Sequence, residues 1–121
     1  MYGKELILDL HNCDVKTFTR KSIKEYFKQL CELIDMERAD LYFWDYRGYP
    51  EEYEKAEDHL KGRSAVQFIM TSNITIHTLD ILGKVFINIF SCKDFSNTRA
   101  RNFSVGWFKG KVKNSTVVER I

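Results

Sequence analysis

Apolar and polar residues alternate in two runs near the middle of the chain, at residues 65–70 and 84–90. Alternation with a period of two is typical of strands that bury one face. The segment between the runs is polar, with hydroxyl, amide and imidazole side chains at Thr71, Ser72, Asn73, Thr75, His77 and Thr78. The pattern predicts buried strands that bring hydroxyls, an imidazole and the Cys92 thiol into one neighbourhood.

Three other segments have the character of strands. Residues 4–10 alternate loosely, are apolar enough for a buried first strand, and are followed by the turn formers Asn12 and Asp14. Residues 39–46 are rich in aromatic side chains, which favour strands, and residues 111–121 alternate again. Residues 50–61 interrupt this series with acidic side chains and predict a short helix or a mobile lid.

Two segments have helical spacing. Four apolar residues define the first: Ile23, Phe27, Leu30 and Ile34. They predict an amphipathic helix that begins between residues 15 and 22, with Ser22 and Glu25 as a capping box. The second helix is predicted from residue 96 or 97 to about residue 108, with Phe103 and Trp107 facing inward and Gly110 at its end.

The order of these elements is strand, helix, three or more strands, helix and strand. Such an order predicts an α+β fold in which helices pack on one face of a largely antiparallel sheet. The chain has 121 residues, of which 44% are hydrophobic, and this size is typical of a single domain, over residues 1–121, with a real core.

Composition narrows the functional classes. No apolar run is long enough to span a membrane, and the amino terminus lacks a signal-peptide pattern, so a cytoplasmic protein without a membrane partner is expected. The cysteines are Cys13, Cys31 and Cys92. An odd number without CxxC spacing suggests neither a disulfide framework nor a zinc site.

A non-enzymatic class remains open as an alternative. Basic residues accumulate in the carboxy-terminal part, at Lys93, Arg99, Arg101, Lys109, Lys111, Lys113 and Arg120. Together with aromatic strands they are compatible with a nucleic-acid-binding α+β module. The net charge of only +2 and the absence of an RNP-like motif argue against it, so no nucleic-acid partner is expected.

Candidate chemistry lies in Ser64, Ser72, His77 and Cys92, all at strand ends or within strands. Side chains that rigid strands fix within reacting distance remove much of the entropic part of a barrier. Serine and threonine on strands are also common surface residues, and a buried cysteine or a single histidine is often structural. Spacing alone leaves both interpretations open.

The motifs around these residues resemble a known family. Ser64, the segment TSNITIHT at 71–78 and the segment NIFSC at 88–92 are similar to the core of the short, prokaryotic type of S-adenosylmethionine decarboxylase. The opening segment GKELILDLHNCD at 3–14 is similar to that family's first strand and turn. The resemblance covers most of the chain, with the exception of residues 45–62.

This resemblance implies a self-processing decarboxylase. Ser72 matches the serine that becomes a pyruvoyl group when the chain cuts itself between Thr71 and Ser72, and Ser64 and His77 match residues that assist processing. Cys92 matches the proton donor in catalysis. The pyruvoyl group would form a Schiff base with the substrate amine and act as an electron sink, with no metal. The expected substrate is S-adenosylmethionine and the product is the aminopropyl donor for spermidine.

The resemblance also implies a homodimer in which two sheets pack into a four-layer αββα sandwich, with residues of both chains near each active site. Candidates for an aromatic side chain that stacks on the substrate adenine are Phe43, Trp44 and Tyr46, and each is equally compatible with a core or dimer contact. The acidic segment 51–58 would favour a cationic ligand if it lies near the pocket.

Departures from the family pattern leave two alternatives. Thr71 and Asn73 flank Ser72 where the family usually has Glu and His, and Leu79 follows the His-Thr pair where the family commonly continues with Trp. One alternative is a homologue that is deficient in processing and is not catalytic. The other is a homologue that decarboxylates another amino acid, such as ornithine or arginine.

Overall fold

The computed structural model describes residues 1–121 as six strands and three α-helices. The strands are β1 (Gly3–His11), β2 (Arg38–Trp44), β3 (Gly62–Ile69), β4 (Ser72–Leu79), β5 (Lys84–Ser91) and β6 (Lys111–Arg120). The helices are α1 (Arg20–Leu33), α2 (Pro50–Lys55) and α3 (Asn97–Phe108), and Val15–Phe18 and Asp58–Leu60 form single turns of 3₁₀ helix. The predicted strands and helices are all present.

All strands belong to one antiparallel sheet in the order β2-β3-β4-β5-β1-β6. The polar segment of the sequence is itself a strand, β4, near the centre of this sheet. It can lie there because its apolar residues Ile74 and Ile76 alternate with the polar ones and are fully buried. The sheet confirms the predicted α+β class.

The core lies between the sheet and the helices α1 and α3, which pack on one face. Alternate residues of β1, β4 and β5 face these helices, and Leu6, Leu8 and Ile87 are fully buried there. Tyr26 of α1 is also fully buried, and its hydroxyl lies 2.7 Å from the hydroxyl of Ser104 on α3. This hydrogen bond joins the two helices above the sheet.

The start of α1 differs from the predicted capping box. The helix begins at Arg20, and Thr19 caps it by accepting a hydrogen bond from the backbone N–H of Ser22 at 3.1 Å. The hydroxyl of Ser22 instead accepts a hydrogen bond from the indole N–H of Trp107 at 3.1 Å. The capping prediction was wrong because Thr19, three residues earlier, takes that position.

The end of α3 also differs from the prediction. The left-handed residue after the helix is Lys109, with a φ of 55°, and not Gly110. Glycine at position 110 has another structural role. A Cβ atom there would lie 2.6 Å from the sulfur of Cys13. Phe103 and Trp107 do pack against the core, as predicted, although the fully buried face of α3 is formed by its neighbours Ala100, Ser104 and Phe108.

The second face of the sheet, here called the open face, has no helix over it. It carries aromatic side chains at the β2–β3 side, where Tyr42 and Phe68 pack edge to face and Trp44 is 85% exposed. Clustered exposed aromatic side chains are common at interaction sites. The four-layer dimer predicted from the resemblance remains a prediction. None of the three helices is both long and apolar enough to cross a membrane.

Candidate active site

The turn between β3 and β4 brings together three of the predicted residues. Ser72 is the first residue of β4, and Cys92 lies directly after β5. The backbone N–H of Cys92 donates to the Ser72 hydroxyl at 3.1 Å, and that hydroxyl lies 3.7 Å from the Cys92 sulfur. Thr71 completes the group, since its hydroxyl is 3.0 Å from the same sulfur. We call these three residues the hairpin cluster.

The hairpin cluster changes the acidity of its thiol. Hydrogen bonds from the hydroxyls of Thr71 and, to a smaller extent, Ser72 stabilise the thiolate and lower the pKa of Cys92 below its ordinary value. The other two cysteines behave in the opposite way, because burial raises the pKa of Cys13 and of Cys31 to about 11. Cys92 is therefore the most acidic of the three cysteines.

A cavity of about 430 Å³ borders the hairpin cluster. Its other walls come from the loop after α1, with Met36 and Glu37, and from Lys93. The Lys93 ammonium forms an ion pair with the Asp35 carboxylate at 2.8 Å, and it also donates to the Asp35 carbonyl at 2.8 Å. Both residues of this ion pair line the cavity next to Cys92.

Ser64 and His77 form a second pair at the other end of the same strands. They are cross-strand partners on β3 and β4, and the Ser64 hydroxyl lies 2.7 Å from Nδ1 of His77. His77 is exposed on the open face. A serine hydroxyl within hydrogen-bond distance of an imidazole is an arrangement that can move a proton.

A cavity of about 440 Å³ adjoins the Ser64–His77 pair. Trp44 and Tyr46, two of the aromatic candidates, line it together with Phe86. Phe43 does not, because it points to the helix face and packs beneath the guanidinium of Arg20, 4.8 Å from its ring centre. Of the three aromatic candidates, Trp44 and Tyr46 are thus placed beside candidate chemistry.

The acidic segment 51–58 lies near this second cavity. It contains α2, and its residues Glu51, Glu52, Glu54, Glu57 and Asp58 are all exposed. Tyr53 fixes the segment by donating to the Asp80 carboxylate at 2.9 Å, and the following residues His59 and Leu60 line the cavity. The predicted short helix is present, and the turn of 3₁₀ helix that follows it, Asp58–Leu60, borders the pocket.

A buried carboxylate that the sequence analysis missed supports the same cavity. Asp45 accepts two hydrogen bonds from Arg20, at 2.7 and 2.8 Å, and one from Arg63 at 2.7 Å. These arginines hold the pKa of Asp45 far below its ordinary range. The network fixes the chain next to Trp44 and Ser64. The sequence shows only that opposite charges occur on distant segments, at Arg20, Asp45 and Arg63. That signal is too weak to identify the network.

The hairpin cluster and the Ser64–His77 pair do not meet within one chain. Ser72 and His77 are five residues apart on β4, so a rise of about 3.3 Å per residue separates them by about 16 Å. An odd separation also turns their side chains to opposite faces, and Ser72 is buried whereas His77 is exposed. Within one chain the candidate residues therefore form two separate groups, here called half-sites, rather than one assembled group.

These features define a class of protein. Its members have an α+β fold with one antiparallel sheet covered by helices on one face, and the sheet carries a serine and a thiol of lowered pKa at a hairpin turn. The family model described as S-adenosylmethionine decarboxylase matches residues 4–121. The chain belongs to the S-adenosylmethionine decarboxylase family, which confirms the resemblance seen in the sequence.

A solved structure shares the fold. The crystal structure of the adenosylmethionine decarboxylase from Aquifex aeolicus VF5 matches with a TM-score of 0.77 and 18% sequence identity, and the match covers 98% of this chain and 90% of that one. At this identity the likeness concerns the fold alone. No curated protein sequence matches the chain.

Proposed function

We propose that this protein is a pyruvoyl-dependent S-adenosylmethionine decarboxylase that cuts its own chain between Thr71 and Ser72. The observation that carries the proposal is the hairpin cluster, in which the serine at the predicted cleavage point lies against the thiol predicted to act on the product. Membership of the decarboxylase family supports it. The product would serve as the aminopropyl donor for spermidine.

Self-cleavage needs chemistry that the chain's own residues can supply. The Ser72 hydroxyl oxygen would attack the carbonyl carbon of Thr71, the bond from that carbon to the Ser72 nitrogen would break, and an ester would replace the amide. Loss of the Ser72 α-proton then expels the Thr71 carboxylate, and addition of water with release of ammonia leaves the pyruvoyl group. A base and a hydrogen-bond donor at the reacting carbonyl accelerate both stages.

The residues present fit the pyruvoyl group because Ser72 is enclosed and is next to a titratable thiol. When formed, the group supplies a carbonyl that binds the substrate amine and withdraws electrons as carbon dioxide leaves. Cys92 would return a proton to the reacting carbon, and the direction of its pKa shift favours that role. Its neighbour Lys93 lines the same cavity and pairs with Asp35.

A second copy of the chain would complete each site. Two open faces related by a two-fold axis perpendicular to the strands bring opposite ends of the sheet together, so the Ser64–His77 pair of one copy would lie over the β3–β4 turn of its partner, where Thr71 is exposed although the Ser72 side chain faces the helices. Packed sheets lie about 10 Å apart, within the reach of facing side chains. The aromatic open face, with exposed Tyr42 and Trp44, supports this arrangement.

The second cavity suits the larger part of the substrate. Trp44 and Tyr46 offer aromatic surfaces to an adenine ring. They lie beside the Ser64–His77 pair, so only a dimer would bring them close to a hairpin cluster. The acidic segment 51–58 adds a negative field near this end of the sheet, which favours a sulfonium or another cation.

The first experiment is intact-mass analysis of the purified protein under denaturing conditions, with Ser72→Ala as the uncut control. Two fragments divided between Thr71 and Ser72, with a blocked amino terminus on the downstream one, are expected. Release of carbon dioxide is then measured with carboxyl-labelled S-adenosylmethionine, ornithine and arginine in parallel. An uncut wild-type chain would refute the proposal and favour a non-catalytic homologue, and release from ornithine or arginine alone would change the substrate.

A further inference from the structure

The residue before the proposed cleavage point has an unusual backbone conformation. Thr71 has a φ of 52°, in the left-handed region. Three other residues besides glycine share a positive φ, namely Asn12, Asp35 and Lys109, and none of them is branched at Cβ. Asparagine and aspartate tolerate this region, whereas a β-branched residue there is a genuine outlier. Thr71 is therefore the most strained of the four positions.

The geometry of the turn explains why Thr71 is forced into this region. Ile69 pairs with Ser72, so Met70 and Thr71 alone form the loop of the β3–β4 hairpin. The two-residue hairpin loops that fit strand twist have a positive φ at the first or at both positions. Here only the second position has one, which is the pattern of a type II turn, and that position calls for glycine or asparagine.

The surrounding contacts prevent the turn from relaxing. The register of β3 and β4 is continuous over eight residue pairs up to Ile69 and Ser72. The Thr71 hydroxyl is held between the Met70 carbonyl, at 2.8 Å, and the Cys92 sulfur. Strained backbone persists only where the rest of the structure determines it in this way, and it is concentrated at functional sites.

We propose that the left-handed conformation of Thr71 drives conversion of the Thr71–Ser72 peptide bond to an ester, an inference that rests on the proposed self-cleavage. In that step the bond from the Thr71 carbonyl carbon to the Ser72 hydroxyl oxygen forms, the bond to the Ser72 nitrogen breaks, and the hydroxyl proton ends on the freed amine. The path between the two α-carbons becomes one atom longer. The turn can then relax, so strain in the amide is released in the ester.

Four substitutions at position 71 separate backbone strain from the role of the hydroxyl. Thr71→Gly and Thr71→Asn relieve the strain, Thr71→Val keeps the branched Cβ but removes the hydroxyl, and Thr71→Ser keeps the hydroxyl without the branch. Cleavage is followed over time by intact mass. The glycine and asparagine variants are expected to cleave about tenfold more slowly, which corresponds to about 1.4 kcal/mol in the barrier, while the valine variant cleaves at least as fast as wild type.

Stability gives an independent readout that a simple packing defect would not produce. In a Ser72→Ala background, which prevents cleavage, Thr71→Gly and Thr71→Asn should raise the melting temperature although they slow cleavage in the Ser72 protein. Lys109→Gly is the matched control, because it relieves a positive φ of 55° far from the turn. It should also stabilise the protein, and it should leave the cleavage rate unchanged.

The outcomes are distinguishable. Equal cleavage rates across the four variants would overturn the strain inference and leave the proposed function intact. Slow cleavage by Thr71→Val with normal cleavage by Thr71→Ser would also overturn it, since the hydroxyl and not the backbone would then matter. A wild-type chain that never cleaves would overturn both proposals.

Discussion

Asp45→Asn is the substitution whose effect follows most directly from the structure. The side chain of Asp45 is 2% exposed and accepts hydrogen bonds from Arg20 and Arg63. These contacts join the start of α1 to the ends of β2 and β3. Asparagine has the same shape but no charge, so the variant leaves two arginines facing a neutral amide.

The expected loss is a few kcal/mol. Removal of one partner of a fully buried ion pair costs about 3–5 kcal/mol. The arginine side chains are 29% and 26% exposed, so water can replace part of the interaction, and we expect about 2–3 kcal/mol. For a chain of this size that lowers the melting temperature by roughly 10 °C. Calorimetry in a Ser72→Ala background avoids interference from cleavage.

The pH dependence tests the cause. Hydrogen bonds, above all those from Arg20, hold the pKa of Asp45 in the folded chain well below its ordinary value. At a pH between the folded-state and unfolded-state pKa, the unfolded chain therefore binds a proton that the folded chain does not. This stabilisation is present above about pH 4 and is lost as the pH falls below it. The deficit of Asp45→Asn should therefore be largest at neutral pH and should shrink in acid.

Asp40→Asn serves as the control, because Asp40 is an exposed carboxylate on β2, the strand directly before Asp45. It should change the free energy of unfolding by no more than about 0.5 kcal/mol. The reasoning would be refuted by an Asp45→Asn deficit that equals the control, or by one that is constant from neutral to acidic pH.

Three further predictions concern the proposed site. Cys92→Ser should still cleave but should lose most carbon dioxide release, measured on fully cleaved protein. Thr71→Val in a Ser72→Ala background removes a donor from the Cys92 thiolate, so the pKa of Cys92 should rise and its alkylation by iodoacetamide should shift to higher pH. When Ser72→Ala and His77→Ala chains are mixed, the His77→Ala chain should be cleaved, as intact mass would detect, because in the proposed dimer its β3–β4 turn would meet the partner's His77. Cleavage of neither chain would contradict the shared site.

Much of the fold was predictable because burial leaves a period in the sequence. Leu6, Leu8 and Leu10 are fully buried on alternate positions of β1, and Ile23 and Phe27 of α1 recur at helical spacing. The exact helix ends were not, since Thr19 and Ser22 are both good caps and only the packing of Trp107 onto Ser22 decides between them. Local preference alone cannot make that choice.

The candidate site was predictable in content but not in arrangement. The resemblance to the family motif identified the four candidate residues, Ser64, Ser72, His77 and Cys92. Their division into two half-sites depends on the register of one hairpin, because a two-residue loop pairs Ile69 with Ser72 and therefore Ser64 with His77. The sequence at the turn lacks the Asn-Gly or Asp-Gly pair that is typical of such a loop, so the register could not be predicted from the sequence.

The division into half-sites has a consequence for when self-cleavage can occur. Within one chain the Ser64–His77 pair lies about 16 Å from Ser72 and on the other face of β4, so a monomer lacks an imidazole at the proposed cleavage point. The strain proposed at Thr71 would lower the barrier without supplying that imidazole. If the two contributions combine in a dimer, the rate of cleavage per chain must fall on dilution below the dissociation constant of the dimer. A rate that is independent of concentration in monomeric protein would show that the hairpin cluster acts by itself.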